Sequence, residues 1–324
     1  MVAGGLALLF AFTVLYVAAY HAPRAKGYDV GVVGRAPVAA RVQSALDTAD
    51  RGAFDVRRYA TAPQARAALL DTDVHGVLVP GAGGDRILVA GALGVAPTEA
   101  VTNALRALPR PAGARPVVQD VRPLPASDRR GLSCLFTVIA TLVPSLVFGL
   151  LLAVFGRALP ARVRWTAVVV YAVLAGLVVA FDVDVVVGAL NGEFAGVAVV
   201  TGLLALAVAA AAHGLAHAGG APGVAAAAVA LVLLGLSSSG GAVGYQFEPG
   251  FYSAVSQLLP PGAAVTAVRN VQYFDWSATL APLVVLGAWA AGGVTLGLLG
   301  ERLGRRADAL APAPVAVPAP GAAA

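Results

Sequence analysis

Residues 120–155 read DVRPLPASDRRGLSCLFTVIATLVPSLVFGLLLAVF. A proline-broken segment with five charges gives way at Leu132 to 24 residues that carry none. As a helix these 24 residues rise about 36 Å, enough to cross about 30 Å of hydrocarbon. The boundary near residue 131 therefore separates a water-facing unit from a membrane-embedded one. Whole-chain figures agree: 59% of the 324 residues are apolar, only 12% are charged, and the mean hydropathy is +0.81. A soluble domain carries about 25% charged residues. So few charges cannot cover a water-facing surface of this size, which excludes a single soluble enzyme and a disordered chain. The chain reads as an integral membrane protein.

Upstream of the boundary, residues 2–20 are uncharged and long enough to span. They lack a positively charged leader, and Val17-Ala18-Ala19-Tyr20 makes a poor cleavage site, so they read as a retained helix. Residues 21–131 hold 15 of the 22 basic and 10 of the 17 acidic residues, and thus the whole net charge of +5. Strands are expected at 28–33, 54–59, 75–79, 86–90 and 117–121, and Pro37, Pro63 and Pro97 each open a helix. Val38, Val42 and Leu46, and later Val101, Leu105 and Leu108, recur at helical spacing. This alternation predicts a small α/β domain of about 110 residues. Gly81-Ala82-Gly83-Gly84 lacks the Lys-Ser/Thr pair of a phosphate-binding loop and reads as a turn, so no ATP site is expected in this chain.

Downstream, further spans are expected at 132–155, 166–181, 195–215, 221–236 and 277–299, making six with the first. Arg157, Arg162 and Arg164 crowd one short link, and Arg302, Arg305 and Arg306 follow the last span, whereas 182–194 has no basic residue. Positive residues in short loops stay on the cytoplasmic side. Both termini are therefore expected in the cytoplasm and residues 21–131 outside, in a multi-pass protein of the cytoplasmic membrane. Residues 240–276 suit a re-entrant or interfacial segment: a short helix over 251–259 broken by Pro260-Pro261-Gly262, then a second over 265–274. Tyr245, Phe247, Phe251, Tyr252, Tyr273, Phe274 and Trp276 give this segment the content of a headgroup-level aromatic belt. Residues 300–324 read as a disordered cytoplasmic tail, rich in Ala and Pro after Asp308.

Several residues stand out chemically. Arg269 is the single basic residue between Arg164 and Arg302. It can anchor at the interface, pair with Glu248 or Asp275, or meet an anionic lipid headgroup or cargo. Asp182 and Asp184 follow a span; they lie in the outer interface if that span ends at residue 181, and within the membrane as a proton relay if it continues to 190. His213 and His217 share a helix face but have no third ligand nearby in sequence, so no metal site is expected. Cys134 in its apolar run reads as an inert buried thiol, and no serine lies at a recognisable spacing from a His and a carboxylate. No catalytic residue and no nucleic-acid partner is expected.

Two motifs carry a family likeness. Asp120-Val121-Arg122-Pro123-Leu124-Pro125-Ala126-Ser127-Asp128-Arg129-Arg130-Gly131 resembles the junction between ectodomain and second helix in phage-infection-protein-like members of the ABC-2 permease superfamily. Leu258-Leu259-Pro260-Pro261-Gly262, followed by Val268-Arg269-Asn270 and Tyr273-Phe274-Asp275, is similar to their segment before the last helix. The resemblance implies an ABC-2-like all-α membrane bundle of six helices with the α/β domain inserted after the first. It also implies export of a hydrophobic or amphipathic molecule, a homodimer or a paralogous permease partner, and contact with membrane lipids. ATP would act only through a separate ABC ATPase subunit, for which the Arg157, Arg162 and Arg164 link is the candidate docking loop. Relatives that act as receptors or secretion scaffolds supply an alternative class, and a proton-coupled secondary transporter using Asp182 and Asp184 a third. The interface helix that usually precedes the first span in this superfamily is not expected within residues 1–20, and the cytoplasmic link is short, residues 156–165.

Overall fold

A computed structural model of the chain describes residues 2–310 apart from 22, 82, 111–114 and 191. After the apolar helix α1 (Val2–Tyr20) come β1 (Tyr28–Val33), α2 (Ala36–Ala49), β2 (Phe54–Tyr59), α3 (Ala62–Leu70), β3 (Gly76–Val79), β4 (Arg86–Val89), α4 (Val95–Arg106) and β5 (Val117–Asp120). The strands form one sheet in the order β2-β1-β3-β4-β5. β1 runs parallel to β2 and β3, β3 and β4 form an antiparallel hairpin, and β5 runs parallel to β4. Both faces of the sheet are covered, which is why β3 is buried at every position instead of alternating. α2 and α4 cover one face with Val42, Leu46, Val101 and Leu105 against Tyr28, Val30, Val32 and Ile87. α3 covers the other with Ala65, Ala68 and Leu69 against Val77, Val79 and Leu88.

The membrane part follows as α5 (Ser133–Phe155), α6 (Ala161–Phe181), α7 (Phe194–Ala228), a π-helical turn Val229–Leu234 and the single turn α8 (Gly235–Ser237), then α9 (Gly250–Ser256), α10 (Pro260–Tyr273) and α11 (Leu280–Leu310). Among the described residues, four helical runs are long and apolar enough to cross a membrane: Ser133–Ala158, Ala161–Val186, Phe194–Ser237 and Leu280–Arg302. The six expected spans differ from these four for a definite reason. Two of them, 195–215 and 221–236, lie within the third run, which turns at Gly220 (φ 57°, ψ −136°), a conformation that glycine adopts without a Cβ penalty. Ala226 and Ala230 then lie along the same groove as Ala211 and Leu215, so the run is a helical hairpin. α1 is a further apolar helix of 19 residues; Tyr16 and Tyr20 donate through their hydroxyls to the carbonyls of Val232 (3.5 Å) and Leu236 (3.2 Å) on the returning arm.

The outgoing arm of the hairpin is the centre of the bundle, with every residue from Ala207 to Gly214 buried. Its Ala/Gly composition allows close approach on several sides, as helices packed without a water-driven hydrophobic force require. A Cβ at Gly214 would collide with the Gly293 carbonyl of α11, and one at Gly176 of α6 with the carbonyl of Ala198. α11 continues to Leu310, past residue 299 where the sequence suggests that the last span ends; residues 311–324 of the expected tail lie outside the described residues.

The segment between hairpin and last span departs from an aromatic belt. Phe247 joins the core on the α2/α4 face of the sheet, its ring edge-on to Tyr28 at 4.8 Å, and Phe274 joins the core on the α3 face. Phe251 and Trp276 are exposed, as belt residues are, but Phe247, Tyr252 and Phe274 are buried. The segment therefore clamps the sheet to the helices from both sides.

Candidate functional site at the sheet–helix junction

Local structure in both resemblance motifs is tied to this junction. Asp128 caps α5: its carboxylate accepts from the backbone N–H of Leu132 and of Ser133, both at 3.0 Å. Asp120 accepts from the N–H groups of Gly91 (3.0 Å) and Arg122 (3.1 Å), and Gly131 takes φ +65° where the chain turns into the helix. In the second motif Pro260 and Pro261 open α10 instead of only ending α9, since a proline at the first helical turn forfeits no hydrogen bond. The Leu258 carbonyl accepts from the Trp289 indole N–H at 2.9 Å. The motifs meet directly: the Arg122 guanidinium pairs with the Asp275 carboxylate across 153 residues of sequence. Asp275, Trp276 and Ala278 all have positive φ, so the α10–α11 turn is held in a conformation that non-glycine residues avoid.

Beside the α10–α11 turn, whose Ala278 lines it, lies a cavity of about 300 Å³. Thr266, Arg269 and Asn270 line it from one face of α10, at the i, i+3, i+4 spacing that puts side chains side by side. Ala281, Pro282 and Val285 line it from the first turns of α11; Tyr28, His75 and Pro97 come from the sheet domain; and Tyr245 belongs to the link before α9. Neither the sheet domain nor the bundle alone encloses it.

Arg269 forms no ion pair or hydrogen bond among the described residues, and no carboxylate lines the cavity. His75 stacks on Tyr28 with ring centroids 4.1 Å apart. Burial pushes this imidazole down to about 4, which keeps it neutral near pH 7. Burial likewise raises the Tyr28 and Tyr245 hydroxyls, leaving Arg269 as the one formal charge on the wall.

The other sequence candidates lie elsewhere. Arg269 pairs with neither Glu248 nor Asp275. Asp275 holds Arg122, while Glu248, 2% exposed, accepts from the Gly240 N–H at 3.0 Å. Burial lifts the Glu248 carboxyl to about 8, with Gly240 and Tyr20 acting against that rise. Asp182 and Asp184 sit in a π-helical turn, Asp182–Val186, that ends α6; Asp182 is exposed, and Asp184 accepts from the Gly192 N–H at 3.3 Å. At the opposite end Arg157 and Arg162 are exposed. Arg164 is turned inward, where it pairs with Glu301 and donates to the carbonyls of Gly156 (3.3 Å) and Leu159 (2.8 Å).

His213 and His217 stack at 5.6 Å, and no group of three or more metal-ligating side chains occurs among the described residues. Cys134 is free and buried, and the Ser237 and Ser238 hydroxyls donate to the Leu233 and Leu234 carbonyls, both at 2.6 Å. Sequence reasoning missed Tyr28, His75, Thr266 and Asn270 as neighbours of Arg269. The spacing of Thr266 and Asn270 on the Arg269 face was available as a signal, but nothing local links Tyr28 or His75 to α10. Comparison with protein-family models, curated proteins and solved structures finds no match for this chain.

Proposed function

We propose that the chain is the permease subunit of an ABC-2-type exporter that moves a hydrophobic or amphipathic molecule outward with a separate ATPase. The observation that carries this reading is the junction cavity, walled by apolar side chains of α11 and polar ones of α10 and roofed by the sheet. A scaffold that works through its outer domain alone has no use for a chamber built partly from membrane helices. In this reading α1, α5, α6, both arms of the hairpin and α11 make six crossings of the cytoplasmic membrane. Arg157, Arg162 and Arg302 then lie inside and the sheet outside, in accord with the positive-inside rule. Arg157 and Arg162, exposed at the α5–α6 turn, are the side chains left to meet an ATPase, and a second permease copy completes the path.

The test is recovery of an ABC-type ATPase with the full-length protein in mild detergent, alongside an Arg157→Glu/Arg162→Glu variant. The reading expects stoichiometric ATPase with the wild type and its loss from the variant at unchanged membrane abundance. Absence of an ATPase from the wild-type preparation overturns it in favour of an envelope scaffold.

A further inference from the structure

We infer that the junction cavity binds an anionic amphiphile, a molecule with one acidic head and an apolar tail, whose head is held by Arg269. The inference deepens the export reading and rests on it for the site's role.

Charge is the first argument. A guanidinium withdrawn from water is costly unless a counter-ion and hydrogen bonds replace the lost hydration. The chain follows this rule at its other well-covered arginines: Arg164 has Glu301, and Arg110, with 9% of its side chain exposed, has Asp85 at 2.9 Å. Arg269 is half-buried, lines a cavity without a carboxylate, and has no such partner among the described residues. Its place is open to an anion from outside the chain. Thr266 and Asn270 beside it on α10, and Tyr245 elsewhere on the wall, add neutral donors suited to carboxylate or phosphate oxygens.

Shape supplies the second argument and favours an amphiphile over a free anion. Leu93, Pro282 and Val285 form an apolar wall opposite the polar one. Ala278 and Ala281, which also line the cavity, are exposed beside Leu280, itself 76% exposed at the start of α11. The mouth therefore opens along a helix with an apolar outer face, where a tail can leave the cavity without entering water. About 300 Å³ accommodates a head group and the first part of a chain, and no more.

The experiment uses the purified full-length protein in a neutral detergent and dioleoyl phosphatidylglycerol as probe, read by native mass spectrometry. Wild type is expected to retain phosphatidylglycerol about tenfold or more over phosphatidylcholine, the worth of one charge-assisted contact. Arg269→Ala should erase that preference and Arg269→Lys keep part of it. Ala281→Trp, which plugs the mouth and leaves Arg269 in place, should lower retention as well. Inorganic phosphate, which has the charge and no tail, should fail to compete at the lipid's concentration.

Equal preference in wild type and Arg269→Ala overturns the inference. So does effective competition by inorganic phosphate, which marks a site for soluble anions. Should Arg269→Ala not fold, Arg269→Lys and Ala281→Trp decide, and unchanged retention in both overturns it. Lipid binding without an ATPase partner sinks the export reading alone, whereas an ATPase partner without lipid preference sinks this one.

Discussion

The two ends of the helical bundle treat a covered arginine in opposite ways. At the α5–α6 end, Arg164 is locked by Glu301 and two backbone carbonyls, with 6% and 4% of the paired side chains exposed. At the sheet end, Arg269 has a cavity in front of it and no counter-ion. Residue type does not separate them, since both are arginines beside apolar helices. The difference teaches that a charge neutralised from within belongs to the architecture, whereas one left open among polar donors belongs to a ligand.

The strongest way to break this comparison is to remove Glu301. Glu301→Ala strands the Arg164 guanidinium in the bundle and should cost about 3–5 kcal/mol, as loss of one partner of a buried pair does. Thermal unfolding in detergent checks it, and Arg164→Met combined with Glu301→Leu should recover most of the loss. Arg269→Ala should leave the unfolding temperature nearly unchanged, because it removes no internal partner. If both single variants melt alike, the distinction between the two ends is void.

Next in size is the clamp between sheet and helices. Phe274 is 1% exposed in the core on the α3 face. Phe274→Ala should cost about 3 kcal/mol, the low end for a buried phenyl, because the vacated site lies at an interface that can close. Limited proteolysis should show the sheet domain released before the bundle unfolds. Unchanged protection of the sheet domain would mean that Phe247 alone holds the two parts together.

How this clamp escaped sequence reading shows where local signals end. The five strands coincide within a residue with the stretches read as strands, and the proline-opened helices α2, α3 and α4 start where expected. Those elements are set by periodicity and by proline, which act over a few residues. The hairpin was also legible as two apolar runs about Gly219-Gly220, where Gly220 leaves the helical conformation. Phe247 and Phe274 were not legible. An aromatic residue at a headgroup interface and one that plugs a sheet have the same identity and the same apolar neighbours. Only the packing of residues 247 and 274 against strands some 200 residues earlier distinguishes them. Arg269 was legible as chemistry, by its isolation, while its surroundings were not, because they come from elements far apart in the sequence.

Smaller again per unit of pH is the contribution of Glu248. Its carboxyl titrates near 8 in the folded protein through burial and near 4.5 in the unfolded chain, so folding favours the protonated form. Its stabilising contribution is complete below about 4.5 and is lost as the pH rises through about 8. The slope between these limits is at most about 1.4 kcal/mol per pH unit. Glu248→Gln keeps the shape, removes the proton and should flatten this part of the stability profile. A wild-type profile already flat from pH 5 to 8 would show that water reaches the carboxylate.

The smallest effect is expected where the two motifs touch. Arg122 and Asp275 form an ion pair with 39% and 81% of their side chains exposed. Such pairs are worth about 0–1 kcal/mol because solvent and salt screen them. Arg122→Ala should therefore lower the melting temperature barely, and less still at high salt. The pair nevertheless ties the sheet domain to the α10–α11 turn, whose Ala278 lines the cavity, and Asp275 lies in that turn with a positive φ. Loss of the latch should thus appear in lipid retention before it appears in stability. A large fall in melting temperature would instead make this exposed pair as structural as Arg164–Glu301, and the contrast between the two ends would have to be redrawn.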